Sequence, residues 1–278
     1  MSVRLSSAPR GSDRLAARRR TRRRRAVIAL SILFVLLCAG LVYGLQQSPV
    51  RISNIVVYGA ETLPTSRQES FLAIASSTIQ GEYFGLIPRD SIFFFPGSRI
   101  RADIISAHPG IAAVSIFRNG LTGISIKLNE RVPIARWCGL APTPGVDEYC
   151  YVFDANGFVF AAAATSTETV NSFALYAPLV GDTEEPLRAT ISRADQLPAV
   201  FDFARELAIF GSPVVRVVIR NDEVDDYLKS GTRVTFVLGN EENAFTALVS
   251  ARDNLNLVDG SLDYVDLRFD RKMYIKKK

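Results

Sequence analysis

The longest unbroken apolar stretch is Ala26 to Leu45, AVIALSILFVLLCAGLVYGL, which holds no charge. As a helix its twenty residues span about 30 Å, the thickness of a bilayer's hydrocarbon core. Past it the pattern changes period. Ile52, Ile55 and Val57 before Gly59 predict a strand, followed by a turn at Leu63-Pro64-Thr65. Ser66 with Glu69 reads as a capping box for a helix through Phe71, Leu72, Ile74 and Ala75. Pro96-Gly97 breaks the chain, Ser98 suits the cap of a second helix carrying Ile100, Ile104 and Ile105, and His108-Pro109-Gly110 ends it. The period then becomes two: Val114 and Ile116 precede Asn119-Gly120, a hairpin signal, and Ile124, Ile126 and Leu128 follow it. The order over residues 49–131 is strand, helix, helix, strand, strand.

Residues 132–162 predict more strands, with a turn at Ala155-Asn156-Gly157. Residues 163–194 read as irregular connection. Leu197, Val200, Phe201, Ala204, Leu207 and Ala208 recur at helical spacing. Pro213 to Ile219 predicts a strand, and 226–229 with 232–238 a hairpin around Ser230-Gly231. Asn240, with Glu241 and Glu242, suits the start of a last helix. Leu262 to Asp270 predicts the final strand, and residues 271–278 a basic tail. The fold class expected is α+β: one apolar helix, a small β-α-α-β-β domain and a mixed β domain with flanking helices over 132–270.

Charge sharpens the first element. Residues 1–25 hold ten Arg and one Asp, while the whole chain is +5, so residues 26–278 carry a net −4. Seven of those Arg lie in 18–25, and the far end of the apolar run has no charge until Arg51. This asymmetry predicts a helix in membrane lipid over 26–45, with 1–25 in the cytoplasm and the remainder outside. A cleaved signal has a shorter apolar run and a small-x-small site, which Leu45-Gln46-Gln47-Ser48 does not offer; a lipoprotein signal needs a small residue where Leu37 precedes Cys38. The acidic balance outside the tail argues against a nucleic-acid face.

Chemistry-bearing patterns are sparse. The sequence has one His, His108, which reads as a surface residue at a helix end rather than a catalytic base. It has no Gly-rich phosphate loop, HExxH or CxxC. No cofactor, metal, catalytic set or small-molecule substrate is expected. Asp222, Glu223, Asp225 and Asp226 read as a solvated turn rather than a cation site. Phe93-Phe94-Phe95 reads as core rather than a docking patch. Cys138 and Cys150 flank a loop carrying Pro142, Pro144 and Gly145, and outside the membrane a disulfide is favoured over two free thiols. In VDLRF, Val265, Leu267 and Phe269 alternate with Asp266 and Arg268; this terminal strand is either an ordinary closing strand or an open edge that takes a partner strand.

Three stretches carry a resemblance. RISNIVVYGAETLP follows the apolar run, HPGIAAVSIFRNGLTGISIKLNERVPIARW crosses the hairpin, and YVFDANGFVF comes just after. With Glu130-Arg131-x-Pro133-x-Ala135-x-Trp137 as the most specific part, and with YLKSGTRVTFVLG and YVDLRFD later, the chain resembles the FtsQ/DivIB cell-division proteins over about residues 20–271. The resemblance implies a polypeptide-transport-associated (POTRA) domain over 49–131, a C-terminal β domain, and a non-catalytic scaffold of the division septum. It implies an FtsB/FtsL-like coiled coil as partner, engaged at the last strand by Arg268 and Phe269 with Tyr264 nearby. The family does not require the Cys138–Cys150 pair, and its turn and short strand after YVDLRFD are replaced here by Arg271-Lys272-Met273-Tyr274-Ile275 and three Lys. Two other classes remain: an envelope assembly or transport factor, which usually carries tandem POTRA repeats, and an anchored cell-wall enzyme, which needs a polar catalytic cluster.

Overall fold

A computed structural model of the protein describes residues 11–59, 65–143, 149–164, 167–181, 185–269 and 272–278, with side chains from 18 onward except Thr65. The turn expected at Leu63-Pro64, the loop centre with Pro144 and Gly145, and Asp270-Arg271 lie outside the described residues. The chain divides into two compact units, 1–104 with 114–128, and 105–113 with 129–278.

In the first unit, α1 (Gly11–Leu45) is one unbroken helix that joins the Arg run to the apolar run. Its segment Arg18–Leu45 is long and apolar enough to cross a membrane, and none of its residues is buried. After it come β1 (Asn54–Tyr58), α2 (Thr65–Thr78), the short β2 (Glu82–Tyr83) and β3 (Ile87–Pro88), α3 (Gly97–Ala107), β4 (Ile111–Asn119) and β5 (Gly123–Glu130), of which residues 105–113 and 129–130 belong to the second unit. The sheet order is β1-β5-β4, with β1 parallel to β5. Period-two patterning puts Ile124, Ile126 and Leu128 inside, and α2 and α3 bury Phe71, Ala75, Ile100 and Ile104.

Three local expectations are corrected here. Ser66 and Ser98 lie inside the first turns of α2 and α3, so neither stands at the cap position. The β2–β3 hairpin interrupts the expected helix-to-helix connection, and its two-residue strands carry no readable period. The Phe run is split: Ile92 is buried, but Phe93 and Phe94 are each 50 % exposed. Phe94 and Phe95 N–H groups both donate to Ser91 O, so a tight turn here replaces the extended run that alternation would need.

The second unit holds β6 (Ala135–Trp137), β7 (Tyr151–Phe153), β8 (Val159–Ala162), β9 (Ala174–Tyr176), α4 (Leu197–Leu207), β10 (Val214–Arg220), β11 (Glu223–Leu228), β12 (Arg233–Val237), α5 (Glu241–Ser250), β13 (Leu262–Phe269) and β14 (Lys272–Lys277). They form one mixed sheet in the order β14-β13-β12-β11-β10-β9-β6-β7-β8. β9, inside the stretch read as irregular, is a central strand parallel to both β10 and β6. Residues 272–277, expected as a tail, form β14 antiparallel to β13.

The helices cover one face. α4 presents Leu197, Val200, Phe201, Phe203, Ala204 and Leu207 to the core. Pro198 fits its first turn, and Gly211, at φ 92°, closes the turn that follows it. Phe203 meets Phe236 at 4.3 Å between ring centroids, and Phe173 meets Phe201 at 5.2 Å. By register the opposite face carries Arg216, Tyr227, Arg233 and Tyr264. Asn240 stands at the start of α5, yet its side chain makes no capping bond and instead accepts from Asn243.

Candidate functional site

A nine-stranded open sheet has two ends, and the chain treats them differently. At the β8 end, the Val159 N–H donates to Ala189 O at 2.9 Å and the Arg188 N–H donates to Val159 O at 2.8 Å, so a loop segment covers that edge. At the other end, β14 is paired through β13 alone among the described residues. Unpaired N–H and C=O groups along β14 are a template for one more strand.

This places Tyr264, Arg268 and Phe269 and corrects one expectation about them. All three lie on β13, which pairs with β12 on one side and β14 on the other. β13 is therefore an inner strand, and its backbone is not the open edge. The register runs Val265↔Ile275 and Asp266↔Tyr274, then shifts to Phe269↔Lys272. That irregularity turns Phe269 outward at 51 % exposure, beside Tyr274 at 50 % and Ile275 at 42 %. The Phe269 and Tyr274 rings meet edge-to-face at 5.1 Å. Phe269 and Tyr274 thus form a half-exposed aromatic pair near the free edge, while Ile275, opposite Val265, lies on the other face of β14, with Lys272, Lys276 and Lys277 along the same strand.

The polar frame behind them is fixed. Arg268 Nη2 donates to Asp266 Oδ2 at 2.7 Å, its Nε to Asp266 Oδ1 at 3.0 Å and its Nη1 to Glu223 Oε1 at 2.5 Å. These bonds hold the Asp266 carboxyl below its usual range and raise the Arg268 guanidinium. Lys276 Nζ donates to Asp263 Oδ2 at 2.8 Å, which lowers Asp263 and raises Lys276. Tyr264 lies between cations: Arg233 is 5.4 Å and Lys276 5.8 Å from its ring centroid. Tyr274 and Ile275 escape sequence reading, although two apolar-bearing runs separated only by Asp270-Arg271 carry a hairpin spacing.

The acidic group expected as a solvated turn is only partly one. Asp222 is in the turn and pairs with Arg193, but Asp225 and Asp226 are buried within β11. Strand register explains this: Val224, Asp226 and Leu228 share the core face, while Asp225 and Tyr227 share the other. Asp225 pairs with Arg220 and accepts from Thr235 Oγ1 at 2.6 Å. Both Asp226 oxygens lack a hydrogen-bond partner among the described residues, and burial first, then the neighbouring Asp225 charge, pushes its carboxyl well up. No cluster of three or more His, Cys, Asp or Glu fit for a metal ion occurs among the described residues.

Cys138 and Cys150 are joined by a disulfide with Cα atoms 4.2 Å apart. It bridges the neighbouring strands β6 and β7, one position past the Trp137↔Tyr151 pair. On the same face it packs with Tyr176 and Val218. His108 lies after α3, half-buried. No protein-family model matches this chain, and no curated protein matches it.

Proposed function

We propose that this chain is a single-pass, non-catalytic scaffold of the bacterial division septum, of the FtsQ/DivIB type. Residues 1–25 lie in the cytoplasm, α1 crosses the inner membrane, and the two units fold outside as a POTRA domain and a β domain. The observation that carries the reading is the free β14 edge in a mixed sheet tethered behind an apolar N-terminal helix. An FtsB/FtsL-like coiled coil extends the sheet by one strand, with main-chain bonds to β14 for affinity and Phe269 and Tyr274 as apolar anchors. The lysines on β14 disfavour self-addition and favour an acidic partner segment. Arg268, held by Asp266 and Glu223, presents a preset guanidinium beside that strand. The resemblance in sequence order supplies the partner's identity.

The test is capture of an FtsB/FtsL-like coiled coil by the full chain in nanodiscs. Phe269→Glu and Tyr274→Glu, which place charge on the anchors, are each expected to weaken capture about 30-fold, the scale of an interface hot spot. Equal capture by wild type and both variants sinks the edge-docking reading.

A further inference from the structure

The chain leaving α1 is stitched to the segment after the β2–β3 hairpin. Gln46 Nε2 donates to the Leu86 carbonyl at 3.4 Å, the Ile52 N–H to Asp90 O at 2.7 Å, and the Ile92 N–H to Val50 O at 3.0 Å. Arg51 Nη2 adds an ion pair with Asp90 at 2.7 Å, which raises the Arg51 guanidinium through that bond. The hairpin tip is thus held at the level of Gln46, one residue past the end of the apolar helix.

That tip is unusual in two ways. Its loop is Phe84-Gly85-Leu86, with φ of 54° and 67° at the first two residues and the Leu86 N–H donating to Tyr83 O at 3.1 Å. Positive φ at both central positions is the type I′ turn condition, where Asn-Gly is the usual pair and a bulky side chain is strained. The phenyl ring that occupies this costly position is 95 % exposed, and Leu86 beside it is 55 % exposed. Neither backbone demand nor core packing accounts for Phe at this place. Beside the tip, Arg89 lies over the Tyr83 ring at 5.1 Å.

We propose that the Phe84–Leu86 tip is a second membrane contact, seated in the outer interface of the bilayer that α1 crosses. The argument for lipid over a protein partner is continuity with the span. A carbonyl bonded to Gln46 sits where helix geometry puts the headgroup layer, and apolar side chains beside it reach the acyl boundary. Arg89, beside the tip, suits a phosphate oxygen at that depth, while Arg51 is held by Asp90. A second foot fixes the tilt of α1 and of the fold stitched to its end against the bilayer plane.

The proposal rests on α1 being a membrane span, and the experiment separates the two. Single Trp residues are introduced into the full chain in nanodiscs as Tyr43→Trp, Phe84→Trp, Leu86→Trp and Leu121→Trp. Leu121, 58 % exposed in the β4–β5 turn, is the control away from the stitched segment. Emission is compared in ordinary and in acyl-brominated phosphatidylglycerol/phosphatidylethanolamine, with native Trp137 as the common background. The expected result is loss of most of the added emission at 43, 84 and 86 and none at 121. Quenching at 43 with 84 and 86 behaving like 121 overturns the second contact, as does an unquenched but blue-shifted signal at 84 and 86, which marks a protein partner. Equal quenching at 121 overturns it too, because contact is then not specific to the tip. No quenching at 43 defeats the span itself. Leu86→Trp reads the same tip without altering the strained position, so a misfolded Phe84→Trp leaves the test intact.

Discussion

Replacing Asp226 by Val is expected to stabilise the β domain, and the gain is expected to grow with pH. Asp226 is fully buried on the core face of β11, with Val217 and Val234 as its cross-strand neighbours. Neither carboxylate oxygen has a hydrogen-bond partner among the described residues. Ionising it there leaves an unpaired charge among aliphatic groups, so its carboxyl titrates well above 3.8. A group whose folded value is raised supplies its full stability below the unfolded value, and that stability is lost as pH climbs toward the folded value. The loss is about 1.4 kcal/mol per pH unit in that window. At pH 7 it reaches at most about 4 kcal/mol. At pH 4 the remaining cost is that of a neutral but unpartnered acid, about 1–3 kcal/mol.

Val has one heavy atom fewer than Asp, keeps the β-branched shape of both cross-strand neighbours and removes both costs. Asp226→Val should gain about 1–3 kcal/mol at pH 4, and up to about 4 kcal/mol more at pH 7. Asp226→Asn should leave the unpartnered polar group but flatten the pH dependence. The assay is urea denaturation of the full chain in nanodiscs from pH 4 to 7, read by Trp137, which lies in the same core. Asp266 and Asp263 are lowered and act in the opposite direction, gaining stability with pH, so the decisive quantity is variant minus wild type at each pH. Parallel pH profiles for wild type and Asp226→Asn, or a destabilised Asp226→Val at pH 7, would refute the reasoning.

Other outcomes follow from separate contacts. Reducing the Cys138–Cys150 bridge, or replacing both residues by Ser, should cost about 3 kcal/mol by freeing a short loop in the unfolded chain, measured as a shift of the same urea midpoint. Asp154→Ala should cost about 3–5 kcal/mol, since it strands the largely buried Arg131 guanidinium and removes the acceptor of the Asn156 and Phe158 N–H groups. Trp137→Phe should cost about 1–3 kcal/mol by orphaning the Ala177 carbonyl that its Nε1–H reaches at 2.8 Å; calorimetry reads it where the fluorophore is lost. Phe84→Gly relieves a left-handed position and should protect the Leu86 N–H about fivefold in hydrogen exchange, the size of a 1 kcal/mol gain.

The elements that repeat a period are the ones the sequence displays. The charge-free run ending at Leu45 forms as a helix, apolar all round; the alternation of Ile124, Ile126 and Leu128 and the helical stripe from Leu197 to Leu207 each impose one buried face over several turns or pleats, and each forms as read. The misses share a different cause: a neighbour in space, not a periodic face, decides them. β9 is three residues long and exists because β10 and β6 bond it on both sides, so no local signal marks it. Asp226 reads as solvated beside three other acids, yet Val224 and Leu228 two places away on either side fix it inward, and that spacing was available to read. β14 reads as a tail because lysines mask Met273, Tyr274 and Ile275; pairing with β13 orders it. The consequence falls on the site. Tyr264, Arg268 and Phe269 lie near the β14 end of the sheet but one strand in from its border, so the open edge is that of β14. Its free backbone groups are a property of the assembled sheet order, which no window of sequence short of the whole domain contains.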